Sequence, residues 1–319
     1  MAERARRSPV ALAEWALFAS CMRLLAWLPE GMAYAAGESL ARLAFRLDRR
    51  HRAVTLENLR RAFPDRYGPA EVEALARAVF ANLGRTAVDV ARFDRLLRDA
   101  PSDAIRLDGL ERLRAARARG QGVLVIMAHF GPWELLPAVA ALRYEPVHVV
   151  VRPLDNPWLD DLLTRMRERG GGHVISKRDA GQAILQALRR GETVGILIDQ
   201  HVTEKEGIVV PFFGRPASTV FAPALIAMRS GAAVFPVGIT REGRGRYCVR
   251  IRDEVALQRS GDLKQDLAEN TARFSTALEA MIRERPDQWF WVHRRWKTPL
   301  PVDPRLAPPA VGLGGAPLR

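Results

Sequence analysis

The chain has 319 residues, 48% hydrophobic and 27% charged, with a formal net charge of +13 from 49 Lys+Arg against 36 Asp+Glu. That length buries a full core, and the balance excludes a disordered or fibrous chain. The basic excess, mostly arginine, favours anionic partners such as nucleic acid, acidic lipid headgroups or an acidic protein, without choosing among them. Only Cys21 and Cys248 occur, which points to a reducing compartment with no disulfide framework. There is no Cys-x-x-Cys, and the six His are scattered, so no metal or cofactor site is expected.

Taken in order, Arg4, Arg6 and Arg7 precede an apolar stretch from Val10 to Leu28, the pattern of a leader or a membrane anchor. Glu14 and Arg23 interrupt it, so no clean run of ~20 apolar residues remains. No small-x-small cleavage site closes it. The expectation is an uncleaved helix, peripheral to the membrane or anchoring in it; a buried core helix is the other reading. Trp15, Phe18, Met22, Leu25 and Leu28 recur at helical spacing. Further helices are expected over 32–47 and 51–63, and a long one from Pro69 to about Leu97, with Pro near its first turn.

Beyond Pro101 the period changes. Ile105–Leu107, Val123–Met127, Val147–Val151, His173–Ser176 and Thr193–Ile198 read as strands. Helices over 110–119, 131–143, 156–169 and 180–190 separate them. This alternation predicts an α/β fold, with a mixed, largely parallel central sheet flanked by helices and preceded by an all-helical N-terminal region. Ile208–Phe213 is apolar, Gly214-Arg215-Pro216 reads as a turn, and Thr219–Arg229 as a helix. Val234–Thr240 and Arg246–Arg252 form a hairpin, and Leu263–Arg285 a long amphipathic helix. Three regions result: 1–100, helical and membrane-associating; 101–300, the α/β core; 301–319, a Pro/Gly-rich disordered tail.

His129-Phe130-Gly131-Pro132-Trp133-Glu134 sits where the strand Val123–Met127 gives way to a helix, a place where α/β enzymes put chemistry. Gly131 and Pro132 suit a sharp turn. Such a turn can swing Glu134 back toward the imidazole, with His129 as general base and Glu134 fixing its tautomer; a capping His and a surface Glu is the other reading of this spacing. No Gly-x-Ser-x-Gly occurs and no nucleophilic Ser or Cys lies nearby, which favours direct attack by a bound acceptor over a covalent acyl-enzyme. Arg152 follows the next strand and is either a candidate oxyanion donor, beside the backbone amides near Gly131, or a phosphate or surface contact. Asp199 also ends a strand, and either orients Arg152 or the acceptor, or forms a structural ion pair. The stretch Trp289-Phe290-Trp291 through Lys297 mixes aromatics with cations, fitting either a membrane interface or packing near the site. Arg112, Arg114, Arg117 and Arg119 form a basic helix face, either solvated or set to meet an acidic carrier protein.

The hexapeptide resembles the His-x4-Glu/Asp box of glycerolipid acyltransferases, and more closely that of the late acyltransferases of lipid A biosynthesis. Further stretches match that family in order: Glu57–Pro64; Arg152–Pro157 with Asp160 and Arg165; Gly195–Gln200; Val209–Gly214; and Pro286–Lys297. The resemblance spans roughly residues 10–300. It implies transfer of a fatty acyl chain from acyl carrier protein or acyl-CoA to a hydroxyl of a membrane glycolipid, most naturally a lipid A precursor. A phosphatidylinositol mannoside, a lysophospholipid or an aminolipid is the alternative acceptor. It also implies His129 and Glu134 as catalytic residues, substrate contacts at Arg152, Asn156, Arg165 and Asp199, and no nucleic-acid partner. The expected location is the cytoplasmic face of a bacterial inner membrane, on an anionic surface. The chain departs from the family at Pro132, where Asn is common, and in His201–Gly207, which matches loosely.

Overall fold

The computed structural model describes residues 8–99, 103–169, 171–177 and 180–297. The Arg4, Arg6 and Arg7 cluster and the tail expected from residue 301 lie outside the described residues. Helix α1 (Pro9–Trp27) starts at Ser8, whose side chain accepts from the Ala11 amide. It is long and apolar enough to cross a membrane, and only Ala19 and Leu25 of it are buried. Helices α2 (Glu30–Leu47), α3 (Arg49–Ala62), α4 (Pro69–Ala91) and α5 (Phe93–Asp99) follow, the expected long helix breaking at Arg92. Where α2 crosses α4, Gly37 meets Gly84: a Cβ on Gly84 would stand 2.3 Å from the Gly37 carbonyl oxygen. Only glycine permits backbones that close.

The sheet strands are β1 (Ile105–Asp108), β2 (Val123–Met127), β3 (His148–Val151), β4 (His173–Ser176), β5 (Thr193–Leu197), β8 (Ala233–Gly243) and β9 (Arg246–Ile251). Their order is β1-β9-β8-β2-β5-β3-β4. Every neighbouring pair is parallel except the β8–β9 hairpin. Between β5 and β8 the chain makes a separate two-stranded ribbon, β6 (Gly207–Phe212) and β7 (Arg215–Val220). The turn expected at 214–216 therefore sits one residue early, and Thr219 belongs to a strand; helix α10 begins only at Ala222. Ladder pairing of Val209 with Ser218 and Ile208 with Thr219 outweighs the helical look of that stretch.

All five residues of β2 are buried, as in a parallel strand covered on both faces. Val123, Val125 and Met127 join a cluster with α6 (Leu110–Ala118) and α7 (Leu136–Arg143). Leu124 and Ile126 join a second cluster with α9 (Ala180–Arg189), α10 (Ala222–Ser230), α11 (Leu263–Glu284) and residues of α2, α3 and α4. The N-terminal helices thus share one core with the sheet. From β2 the chain leaves through α7 and α8 (Pro157–Arg169) toward β3 and β4; from β5 it leaves toward β8, on the other side of β2. Connections that diverge this way open a crevice at the carboxyl ends of β2 and β5.

Candidate active site

The parallel register pairs Met127 with Leu197, and the Ile198 amide donates to the Met127 carbonyl at 3.0 Å. Two residues past each partner, His129 and Asp199 come side by side. His129 Nδ1 lies 2.7 Å from Asp199 Oδ1, and the His129 amide donates to Oδ2 at 2.8 Å. The Trp289 indole Nε1–H donates to the same Oδ2 at 2.7 Å. The Asp199 side chain is 1% exposed and that of His129 19%. With Asp199 accepting, Nδ1 carries the hydrogen and Nε2 is the basic nitrogen. Nε2 faces the Gln200 carboxamide nitrogen at 3.5 Å.

The turn after His129 is set by Gly131, at φ 57°, where a Cβ would stand 2.1 Å from the Ile239 carbonyl oxygen. The Gly131 amide donates to the Gln288 carbonyl at 2.9 Å, and the Phe290 amide to the His129 carbonyl at 3.0 Å. Phe130 and Trp289 form a single antiparallel bridge. The C-terminal aromatic stretch is thus a wall of the site: Trp289 and Trp291 are buried, and Trp133 and Phe290 rim the imidazole with ring centroids 5.1 and 6.0 Å away. Pro132 contributes its carbonyl, which accepts from the Leu135 amide at 2.9 Å.

Glu134 does not make the expected orienting contact with His129. Residues Trp133–Leu135 form a 3-10 turn before α7. That turn sends the carboxylate to Arg167 of α8, which donates from Nε to Oε2 at 2.8 Å and from Nη2 to Oε1 at 2.7 Å. This two-bond pair is only 14–15% exposed. Asp199 holds the imidazole instead, because strand register, invisible in one sequence, places it there. Arg167 was not among the expected site residues. Its signal was the stripe Leu159, Leu163, Met166, Arg167, at helical spacing on α8.

The other expected substrate contacts scatter. Arg152 and Arg165 are exposed. Asn156 is spent on structure: its Oδ1 accepts from the Trp158 and Leu159 amides at the start of α8, and its Nδ2 donates to the Ala11 carbonyl and Glu14 of α1. The rings of Trp15 and Trp158 lie beside this latch, 5.8 Å apart. On the basic face of α6, Arg112, Arg117 and Arg119 pair with Asp253, Glu145 and Glu254.

The electrostatics follow from burial and pairing. Burial works against a charged His129, but the charge and hydrogen bond of Asp199, with Glu134 behind them, raise its pKa above the ordinary imidazole value. Burial works equally against an ionised Asp199, and His129 and the Trp289 indole hold its pKa below the usual carboxylate range. Nearby His293 goes the other way: burial pushes it down to about 4, and its Nε2 accepts from the His201 amide at 3.0 Å. Among the described residues no three His, Cys, Asp or Glu gather as a metal-ligand set.

Beneath the sheet, on the Met127 side, lies an apolar cavity. It runs from Val149 of β3 past Gly195, Met127 and Val237 to Val249 and Ile251 of β9, floored by Leu113 of α6 and Leu136 and Val139 of α7. Gly195 keeps it open: a Cβ there would stand 2.9 Å from the Met127 Cε. The lining is almost wholly apolar.

The family model described as "Bacterial lipid A biosynthesis acyltransferase" matches residues 2–298. The chain is 27% identical to the lipid A biosynthesis lauroyltransferase of Escherichia coli, over 86% of this chain and 88% of that one. It is 27% identical to the palmitoleoyltransferase of the same organism, over 78% and 80%. It is 26% identical to the phosphatidylinositol mannoside acyltransferase of Mycolicibacterium smegmatis, over 88% and 90%.

Proposed function

The chain belongs to the bacterial lipid A biosynthesis acyltransferase family and is an acyltransferase; from that premise we propose that it moves a fatty acyl chain from a thioester to a hydroxyl of a lipid A precursor, with His129 as general base and Asp199 as its partner. The observation that supports this most is the 2.7 Å contact from His129 Nδ1 to Asp199, which leaves Nε2 basic at the mouth of the crevice. Nε2 takes the acceptor hydroxyl proton as the oxygen attacks the thioester carbonyl. The C–O bond forms, the C–S bond breaks, and the thiolate leaves with the proton returned by the imidazolium. Gln200 amide hydrogens, near Nε2, replace the exposed Arg152 as the side-chain donors to the oxyanion. Glu134, held by Arg167, fixes the turn that carries His129 and adds negative charge behind the imidazole. The apolar cavity takes the acyl chain, and its floor limits chain length. Acyl carrier protein or acyl-CoA supplies the chain. Helix α1, with its exposed Leu17, Leu24 and Trp27, holds the enzyme to the cytoplasmic face of the inner membrane.

The test is acyl transfer by purified protein from acyl carrier protein, and separately from acyl-CoA, to a lipid A precursor. His129→Gln abolishes it in this reading; full activity in that variant removes His129 from the chemistry. Because the base works neutral, the rate falls as pH drops through a midpoint above the ordinary imidazole value of about 6.5. A second reading, a phosphatidylinositol mannoside-type acceptor, has comparable support, since that relative is covered as fully and is 26% identical against 27%. Mass spectrometry of lipids from cells lacking the gene separates the two. Lipid A short of one acyl chain supports the first, and unchanged lipid A with an altered glycolipid supports the second.

A further inference from the structure

Three bonds from one short stretch converge on the His129–Asp199 pair. Gln288 accepts the Gly131 amide, Phe290 donates to the His129 carbonyl, and the Trp289 indole donates to Asp199. The stretch is itself pinned. The Gln288 side chain accepts from the Arg241 amide at 2.9 Å and donates to the Arg241 carbonyl at 3.0 Å. The Arg241 guanidinium is buried on Asp89, Asn82 and Thr86 of α4, and Asp89 also accepts from Tyr34 and Tyr247. The helical region thus fixes the stretch that fixes the base.

Asp199 has two oxygens to align. Oδ1 meets His129 Nδ1; Oδ2 receives the His129 amide and the indole. The amide alone leaves the carboxylate free to turn about its χ2, which is broad for an sp³–sp² torsion. A second donor on Oδ2, from a ring 1% exposed and wedged 4.5 Å from Trp291 and 5.5 Å from Phe212, removes that freedom. We propose that Trp289 is a positioning residue for the base: its indole N–H locks the Asp199 carboxylate so that Oδ1 stays on His129 Nδ1, and it shares the carboxylate's negative charge. This rests on the reading of His129 as the base.

Other charged groups face the pair: Glu134 from the turn, Arg167 from α8, and His293 and Arg295 from the C-terminal segment. None of them changes in Trp289→Phe, which keeps an aromatic ring and deletes the N–H. A carboxylate that loses one of three donors holds a proton more readily as a pair with the imidazole. In Trp289→Phe the acid limb of the kcat profile therefore moves about one pH unit alkaline, and kcat at neutral pH falls about fivefold to tenfold with KM for the acyl donor unchanged.

The control is Trp291→Phe, a like change in the same aromatic cluster whose indole donates to the Pro286 carbonyl and not to Asp199. It lowers the melting temperature and leaves the limb in place. If the limb stays put in Trp289→Phe, or moves equally in Trp291→Phe, Trp289 only packs. The unaltered protein gives a second readout, which stands even if Trp289→Phe does not fold. One indole N–H resonance titrates with the midpoint of the acid limb and stops titrating in His129→Gln. Absence of any such resonance overturns the proposal. Full activity in His129→Gln overturns the underlying reading of the base instead.

Discussion

On one face of the sheet, Leu124, Ile126 and Ala128 share a cluster with Phe212, Phe274, Trp289 and Trp291, and little space remains. On the other, Val125 and Met127 look onto the aliphatic residues of α6 and α7 and onto the apolar cavity. The same strand lines both. The difference lies in what faces it: large aromatics on the filled side, a bare Gly195 and mostly aliphatic chains on the hollow side. His129 and Asp199 stand at the seam, continuing the alternation of Val125 and Met127 yet braced by Trp289 from the filled side. The filled face is built to hold, and the hollow face is the one that takes the acyl chain in the proposed reading.

Substitutions sharpen that division. At the seam, Asp199→Asn keeps its oxygen on the two donors at Oδ2 and turns an NH2 donor toward His129 Nδ1, which reverses the imidazole tautomer; kcat drops about 10³- to 10⁴-fold with KM for the donor little changed, as steady-state kinetics check. On the filled face, Phe274→Ala leaves a hole in a cluster where Phe274 is 1% exposed, costing about 3–5 kcal/mol in denaturant unfolding without altering chain-length preference. On the hollow face, Gly195→Val pushes the Met127 side chain into the cavity. Transfer of long acyl chains falls about 10- to 100-fold while short ones are spared, as a panel of donors of graded length reveals. Outside both, Arg152→Ala at an exposed position changes kcat/KM by about twofold or less. A large loss there would return Arg152 to the site.

Protonation acts on the seam with two signs. His129, raised above its ordinary value, adds stability that is full below that value and fades as pH climbs through the raised one. Asp199, held low, adds stability that is full above the usual carboxylate range and fades as pH falls through its lowered value. The charged pair therefore stabilises the fold most between these limits, whereas His129, if it is the base as proposed, works best above the upper one.

Much of this was legible in the chain. Buried runs such as Val123–Met127 and turns such as the one at Gly214 delimit strands to within a residue, because burial and glycine punctuation are local properties. His129 stood out for the same reason, at the end of such a run. Its partner did not. Glu134 is five residues away along the chain and Asp199 seventy, and only the pairing of β2 with β5 makes the distant residue the neighbour. Asn156 matched a family motif, yet its amide latches α1 to α8, a contact between segments that motif reading treats separately. The aromatic stretch at 289–291 had two readings on composition, and the hydrogen bonds of Trp289 and Trp291 decide for packing.

The pairing of Met127 with Leu197 also sets what kind of change this enzyme tolerates over generations. His129 and Asp199 are mounted at equal overhang on two rails, and the count of residues past the last rung aligns them. Side chains along the rails are exchangeable for others of like volume. A single inserted or deleted residue between Met127 and His129, or between Leu197 and Asp199, shifts one group past the other and turns it to the opposite face of the sheet. Further out, residues 202–206 form neither helix nor strand, and a change of length there leaves the alignment of His129 with Asp199 untouched.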